Sequence, residues 1–317
     1  MTENISNSLF SENYQNIKLG AKMKKQKNFI QFIRSCCILI SILIFSVALY
    51  AQDAEYQYEE TQQLVQLVND AAALIEEKGE DAFAEFAVQD SKWRHDDKYI
   101  FVIDPDAMVY AHASTALVST NVMELTDVNG KPFIKWFIRE VANGDSCGWS
   151  YYLWNIPGQD DPTWKTTFVR SAIAPSGKKY ITGCGLYNMK MERAFVVDQV
   201  KEAADMIEGE GITAFEVLRD PTSEFIFNDN YVFVLDAEGT LLVHPEIEGT
   251  NLYTTHDEEG KYFIQEMLEL GREKGCGWVD YWWNKPGEEK PSAKSSYIKQ
   301  IEVDGDVLVV GVGVYLE

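Results

Sequence analysis

The sequence predicts an α+β fold made of two tandem modules, each a five-stranded antiparallel sheet with a long N-terminal helix and shorter helices packed on it. Three observations carry this. Residues 146–158, SCGWSYYLWNIPG, return as 275–287, GCGWVDYWWNKPG, with Cys147, Gly148, Trp149, Tyr152, Trp154, Asn155, Pro157 and Gly158 each matched 129 positions on. Upstream, a spacing of 132 carries Leu64, Val68, Ala71, Ile75, Tyr99, Asp104 and His112 onto Val196, Val200, Ala203, Ile207, Tyr231, Asp236 and His244. The 317 residues, 46% of them hydrophobic, have room for two such cores and for nothing larger. We divide the chain into a leader, 1–51, a first module, 52–190, and a second module, 191–317.

The leader holds the basic stretch 23–27 (MKKQK) and Arg34, followed by an apolar run of 16 residues at 36–51. A spanning helix needs about 20 apolar residues, whereas the core of an export signal is shorter and ends at small residues such as Ala48 or Ala51. Cleavage is expected to leave a chain beginning near Leu49 or Gln52. Uncleaved, residues 36–51 form a membrane anchor. Met23 is a better start for such a signal than Met1. The leader contains six of the 28 basic and two of the 50 acidic residues, so the remainder carries 22 against 48, a net charge of −26. A surface of that sign repels nucleic acid and anionic membrane, which excludes a nucleic-acid function. With no later run of spanning length, the protein is expected outside the cytoplasm, periplasmic or secreted, without an output domain of its own. Cys147, Cys184 and Cys276 are expected there as free, buried thiols.

Each element then follows from its pattern. Leu64, Val68, Ala71 and Ile75 recur at helical spacing and predict a helix over 59–78, stopped by Gly79. A short helix follows around 82–86. The apolar run 99–104, a turn at Pro105, and 109–113 with His112 form a hairpin. Asp127 or Asn129 caps a helix that Pro132 opens and that runs to about Val141. The aromatic strand comes next and stops at Asn-x-Pro-Gly, because proline cannot continue a ladder. Strands over 164–172 and 179–187 complete a meander. The second module repeats this order, with Gly183 and Gly185 matched by Gly311 and Gly313 at a spacing of 128, so the length differences fall in loops.

Strand 231–236 with its turn, His244-Pro245, GKYFI at 260–264, the aromatic phrase at 277–287, Lys294, Tyr297 and VGVGVY at 310–315 together resemble a Cache domain. The likeness is to the single-Cache type 2 subfamily, here in tandem, and covers nearly everything after residue 52. It implies a PAS-like fold and a pocket between sheet and overlying helices that takes small metabolites, often short carboxylates. The function expected from it is an extracytoplasmic sensor of signal-transduction or chemotaxis type. Such a protein is not an enzyme, needs no cofactor, and passes its ligand state to a membrane receptor or sensor kinase. Two alternatives stand beside it: a structural or protein-interaction module whose pockets are filled by its own side chains, and the sensor fragment of a longer chemoreceptor or sensor kinase.

Within this frame, His244, Tyr281, Trp283, Lys294 and Tyr297 are expected to bind the ligand, aromatic walls with a few polar donors being what a small carboxylate needs. Their counterparts are His112, Tyr152, Trp154 and Lys165. Phe168 stands where Tyr297 does, so the second module is expected to bind better. Asp280 with Trp278 and Trp282 offers an alternative cage for an amine. Other motifs dissolve: Gly183-x-Gly185 has no phosphate-binding counterpart, since Gly311-x-Gly313 is followed by no helix. The acidic turns at Asp104 and Asp236 lack the spaced ligands of a calcium loop, and no metal-binding histidine pair or nucleophile motif is present.

Overall fold

The computed structural model describes residues 56–142 and 146–316. The expectations for residues 1–51 fall outside them, and no helix among the described residues is long and apolar enough to cross a membrane.

In the first module, α1 (Glu59–Lys78) ends at Gly79, whose φ of 63° is a conformation that glycine adopts without strain. A short α2 (Ala82–Phe86) leads to β1 (Arg94–His95), β2 (Lys98–Tyr99), β3 (Phe101–Ile103) and β4 (Val109–Ala111). Then come α3 (Phe133–Glu140), β5 (Cys147–Asn155), β6 (Pro162–Ile173) and β7 (Lys179–Tyr187). The second module repeats the series as α4 (Arg193–Glu210), α5 (Ala214–Arg219), β8 (Ile226–Phe227), β9 (Asn230–Asp236), β10 (Leu241–Val243), α6 (Phe263–Lys274), β11 (Cys276–Asn284), β12 (Pro291–Val303) and β13 (Asp306–Tyr315). The sheets run β4-β3-β7-β6-β5 and β10-β9-β13-β12-β11, all antiparallel, with β8 added beside β9. These are the five-stranded modules that the repeat predicts.

Each sheet is covered on both faces, and the two-residue period of a strand decides what each face meets. Leu64, Val68, Ala71 and Ile75 of α1 pack on Phe168 and Cys184. The opposite face meets α3, where Phe133 and Phe137 join Phe101, Tyr152 and Val169. Burial of a side chain of this size contributes about 1.5–3 kcal/mol each, so these layers hold the modules together.

The modules meet through a small aromatic cluster of Tyr151, Phe195 and Phe227, with Tyr56, Trp149 and Trp164 packed against it. Glu192, fully buried, accepts the backbone N–H groups of Gln57 (2.7 Å) and Tyr58 (3.0 Å). It thus joins the residue that precedes α4 to the backbone entering α1, where the helix dipole favours a carboxylate. Arg139 pairs with Glu224 across the same seam.

Three local expectations are corrected. Asp127 does not cap α3: its Oδ1 accepts the N–H groups of Asn129 and Lys131, and its Oδ2 that of Leu153, so it closes its own loop and ties that loop to β5. Cys276 is exposed, because it starts an edge strand, whereas Cys184 in the centre of its sheet is buried. The Trp278 face is covered by the Arg193 guanidinium, 4.0 Å from the ring centre, and Asp280 bonds to Ser295, so the chain's own cation fills the place of the amine cage.

Candidate ligand site

Tyr281, Lys294 and Tyr315 are register partners across β11, β12 and β13, which puts their side chains in one row on one face of the sheet. Tyr152, Lys165 and Tyr187 form the same row in the first module. The row lies beneath α6, or α3, and the loop after the β9–β10 hairpin. In the second module the pocket is lined by Tyr231, His244, Phe263, Tyr281, Trp283 and Lys294, among others. In the first it is lined by Tyr99, His112, Phe133, Tyr152 and Trp154 in the matching places.

Lys294 and Lys165 are almost fully buried, at 2% and 1% exposure. The Lys294 ammonium reaches the hydroxyls of Tyr231 (3.1 Å) and Tyr315 (3.3 Å), and Lys165 those of Tyr99 (3.0 Å) and Tyr187 (3.2 Å). Each cation also lies over both of its tyrosine rings, Lys294 at 4.5 and 4.6 Å, Lys165 at 4.1 and 4.5 Å. Among the described residues no carboxylate stands within ion-pair distance of either. A buried charge without a counter-ion is costly. Burial accordingly pushes the Lys294 ammonium down to about 7.

The hydroxyls are ordered by their other bonds. Tyr315 donates to the Asn284 carbonyl (2.6 Å) and Tyr187 to that of Asn155 (2.8 Å), so towards the lysine each is an acceptor. Tyr231 accepts from Lys294 and offers its own proton to the neighbouring Tyr315 oxygen or to a ligand. Nδ1 of His244 accepts the N–H groups of Glu246 (3.1 Å) and Ile247 (3.3 Å), and Nδ1 of His112 that of Ser114 (2.9 Å). Burial, reinforced by Lys294 in one case and Lys165 in the other, pushes both imidazoles down to about 4. Each is therefore neutral with its proton on Nε2, an additional donor beside the lysine. The site thus gathers donors and a cation against aromatic walls, a set that matches an anion's oxygen atoms.

Room for the lysine stem comes from the paired glycines. A Cβ on Gly313 would overlap Lys294 Cε, and one on Gly185 would overlap Lys165 Cε. The cavities themselves are small, about 20 Å³ beside Lys294 and about 30 Å³ in the first module. That is room for about one water molecule, with Phe263 stacked on Tyr281 at 4.5 Å and Phe133 on Tyr152 at 4.0 Å. A guest larger than that needs more room than these cavities give.

The structure brings together His244, Tyr281, Trp283 and Lys294, and likewise His112, Tyr152 and Trp154, with Lys165 beside them. It does not include Tyr297, which packs with Trp278 on the α4 side of the sheet. Three positions separate Lys294 from Tyr297, and an odd step along a strand changes face. For the same reason Phe168 lies in the core under α1 and does not mark the first module as deficient. The four tyrosines around the lysines were missed by sequence reasoning, although Tyr99 and Tyr231 recur at a spacing of 132, and Tyr187 and Tyr315 at 128.

The model of the family described as Single Cache domain 2 matches residues 48–194, and that described as Cache domain matches 212–317. Both modules are Cache domains. The tandem Cache chain is 32% identical over 93 residues to the methyl-accepting chemotaxis protein McpP of Pseudomonas putida, covering 28% of this chain and 17% of that protein. It is 34% identical over 92 residues to the sensor histidine kinase MctS of Rhizobium johnstonii, covering 28% and 19%. The chain therefore spans less than a fifth of the length of these curated relatives. A solved structure concerned with carboxylic acid recognition by a Cache chemosensory domain is 25% identical, with 39% of this chain and 92% of that one covered and a TM-score of 0.34.

Proposed function

We propose that the chain is an extracytoplasmic sensor that binds small organic carboxylates in its two Cache pockets. The observation that carries this is the Lys294 ammonium, buried with two tyrosine hydroxyls and no carboxylate of the described residues at ion-pair distance. A carboxylate supplies the missing charge: one oxygen takes a lysine N–H and the other the Tyr231 or His244 proton, while the aromatic walls enclose its short carbon chain. The residues assigned to the site are His244, Tyr281, Trp283 and Lys294, with His112, Tyr152, Trp154 and Lys165 as their equivalents. The chemistry proposed for these residues is binding. Kinship with a chemotaxis protein and a sensor kinase supports a signalling role, with a membrane receptor or sensor kinase as the partner that reads the bound state.

The test is a thermal-shift and calorimetric panel of short carboxylates, amino acids and amines. A ligand at a hundred times its dissociation constant stabilises the fold by about 2.7 kcal/mol. At least one carboxylate is expected to raise the melting temperature of the wild type, and Lys294→Met to weaken its binding about ten-fold or more, as loss of a shielded charge-assisted hydrogen bond does. The small cavity volumes favour a second reading, modules filled by their own side chains. A flat response across the panel with folded protein would decide for it.

A further inference from the structure

Lys131 and Lys261 hold the same place in the two modules, two residues before the first helical residue, Phe133 or Phe263. The Asp127 or Asp257 carboxylate accepts the backbone N–H of each, at 2.9 Å in both. Their ammonium groups go to different places. Lys261 turns back onto its own module, to the Asp280 carbonyl on the edge strand and the Glu266 carboxylate (3.0 Å). Lys131 crosses the seam. It is 1% exposed and donates to the carbonyls of Ser223 and Ile226 (2.8 Å) in the second module. The equivalent lysines of the two modules thus take different partners, Lys261 within its own module and Lys131 across the seam.

Both ends of the Lys131 bridge touch a pocket. On the first-module side, Phe133 stacks on Tyr152 at 4.0 Å and meets Trp154 at 5.4 Å, and the Asp127 carboxylate holds the N–H of Leu153 between those two pocket residues. On the second-module side, Ile226 is the register partner of Tyr231, whose hydroxyl accepts a hydrogen bond from Lys294. Phe133 follows Lys131 by two residues, so a guest that displaced Phe133 would move the loop that carries Lys131.

We propose that the two pockets are coupled: a carboxylate bound in the first module changes the affinity of the second, with Lys131 as the positioning residue that transmits the change. This rests on the carboxylate reading of both pockets. Coupling through a shared element is reciprocal, so occupancy of the second pocket changes the first by the same factor. The device makes the chain a two-input sensor whose response to one pocket depends on the other.

The experiment uses the full chain with acetate as the probe. Calorimetric isotherms are recorded for the wild type and for the single-pocket variants Lys165→Met and Lys294→Met, each with and without Lys131→Met. The wild-type isotherm is expected to depart from the sum of the two single-pocket curves by about five-fold in the second binding constant, and the departure to vanish with Lys131→Met. Hydrogen exchange supplies a second readout. In Lys294→Met, where only the first pocket is intact, acetate is expected to alter protection over residues 221–231, and Lys131→Met to remove that response. Additive isotherms with unchanged exchange overturn the coupling and leave carboxylate binding standing, as does binding at one pocket alone. Absence of acetate binding to the wild type overturns both. Should Lys131→Met fail to fold, exchange in the Lys294→Met chain still decides, since no change over 221–231 refutes transmission.

Discussion

Lys294 and Tyr315 are register partners on adjacent strands, and the lysine ammonium lies 3.3 Å from a hydroxyl whose own proton goes to the Asn284 carbonyl. The tyrosine is thereby fixed as an acceptor, and with Tyr231 it holds two of the three lysine N–H directions. The third is left for the pocket. Charge and orientation are both set by the sheet before any ligand arrives, which lowers the ordering cost of binding.

The pH dependence of this site follows from burial. The Lys294 ammonium, ordinarily protonated up to 10.5, is pushed down to about 7. Between those values the unfolded chain carries a proton that the folded chain has released, so the contribution of this group to stability rises with pH from 7 to 10.5 and is at its minimum below 7. Carboxylate binding runs the other way, because it needs the charged form: affinity is expected to fall by up to about ten-fold per pH unit above 7. Urea unfolding and acetate titration at pH 6, 7.5 and 9, wild type against Lys294→Met, check this. Equal pH slopes in the two proteins would show that Lys294 does not titrate there.

Much of this was legible from residues 99–113 and 231–245 and the aromatic phrase, because their spacings repeat and a repeat cannot be accidental over so many positions. The helix of 59–78 and the meander were read correctly from period and order. The errors were errors of face and of partner. Tyr297 was assigned to the pocket as a hydroxyl donor within the Cache-like motif, although strand parity puts it under α4. Tyr231 approaches Lys294 only through the pairing of β9 with β13, strands distant in the chain, and Tyr315 through the register of the β12–β13 hairpin. Likewise Lys131 reads in sequence as the twin of Lys261, and only the seam between modules makes them different.

That parity argument is testable by a pair of identical changes. Tyr297→Phe is expected to leave carboxylate affinity unchanged, since the hydroxyl is on the helix side of the sheet. Tyr231→Phe removes a hydroxyl 3.1 Å from Lys294 and is expected to weaken binding about three- to ten-fold, one hydrogen bond contributing about 0.5–1.5 kcal/mol. Titration of both variants with acetate gives the answer, and a larger loss in Tyr297→Phe would restore the original assignment.

Gly313 offers a steric test. Phe233 lies over Gly311 and the Lys294 stem over Gly313, so a methyl at 313 meets Lys294 Cε and Ser296 Oγ. Gly313→Ala is expected to destabilise the fold by about 1–3 kcal/mol, the usual cost of overpacking, and to displace the ammonium from Tyr231 so that binding in the second module is lost. Gly185→Ala should do the same to the first module alone. Chemical denaturation and single-pocket titration distinguish the two. Normal binding by both variants would mean that the stem does not follow the glycine track.

Glu192 is a further buried charge with a defined task. Its two carboxylate oxygens accept the N–H groups of Gln57 and Tyr58 immediately before α1, while the residue itself precedes α4, so one side chain ties the segment entering α1 to the start of the second module. Hydrogen bonds to a charged group contribute about 1.5–3 kcal/mol. Glu192→Ala leaves both donors without that partner and is expected to lower unfolding stability by about 3 kcal/mol or more. Glu192→Gln keeps one acceptor oxygen and loses the charge, so about half that loss is expected. Tyr56 hangs on the same strap, its hydroxyl 3.0 Å from Trp149 Nε1 and its ring 5.9 Å from Phe195. Release of the strap should therefore also expose Trp149 and shift the tryptophan emission to longer wavelength. Urea titration followed by that emission tests both statements, and a Glu192→Ala protein with wild-type midpoint and spectrum would show that the strap is held by its aromatic contacts alone.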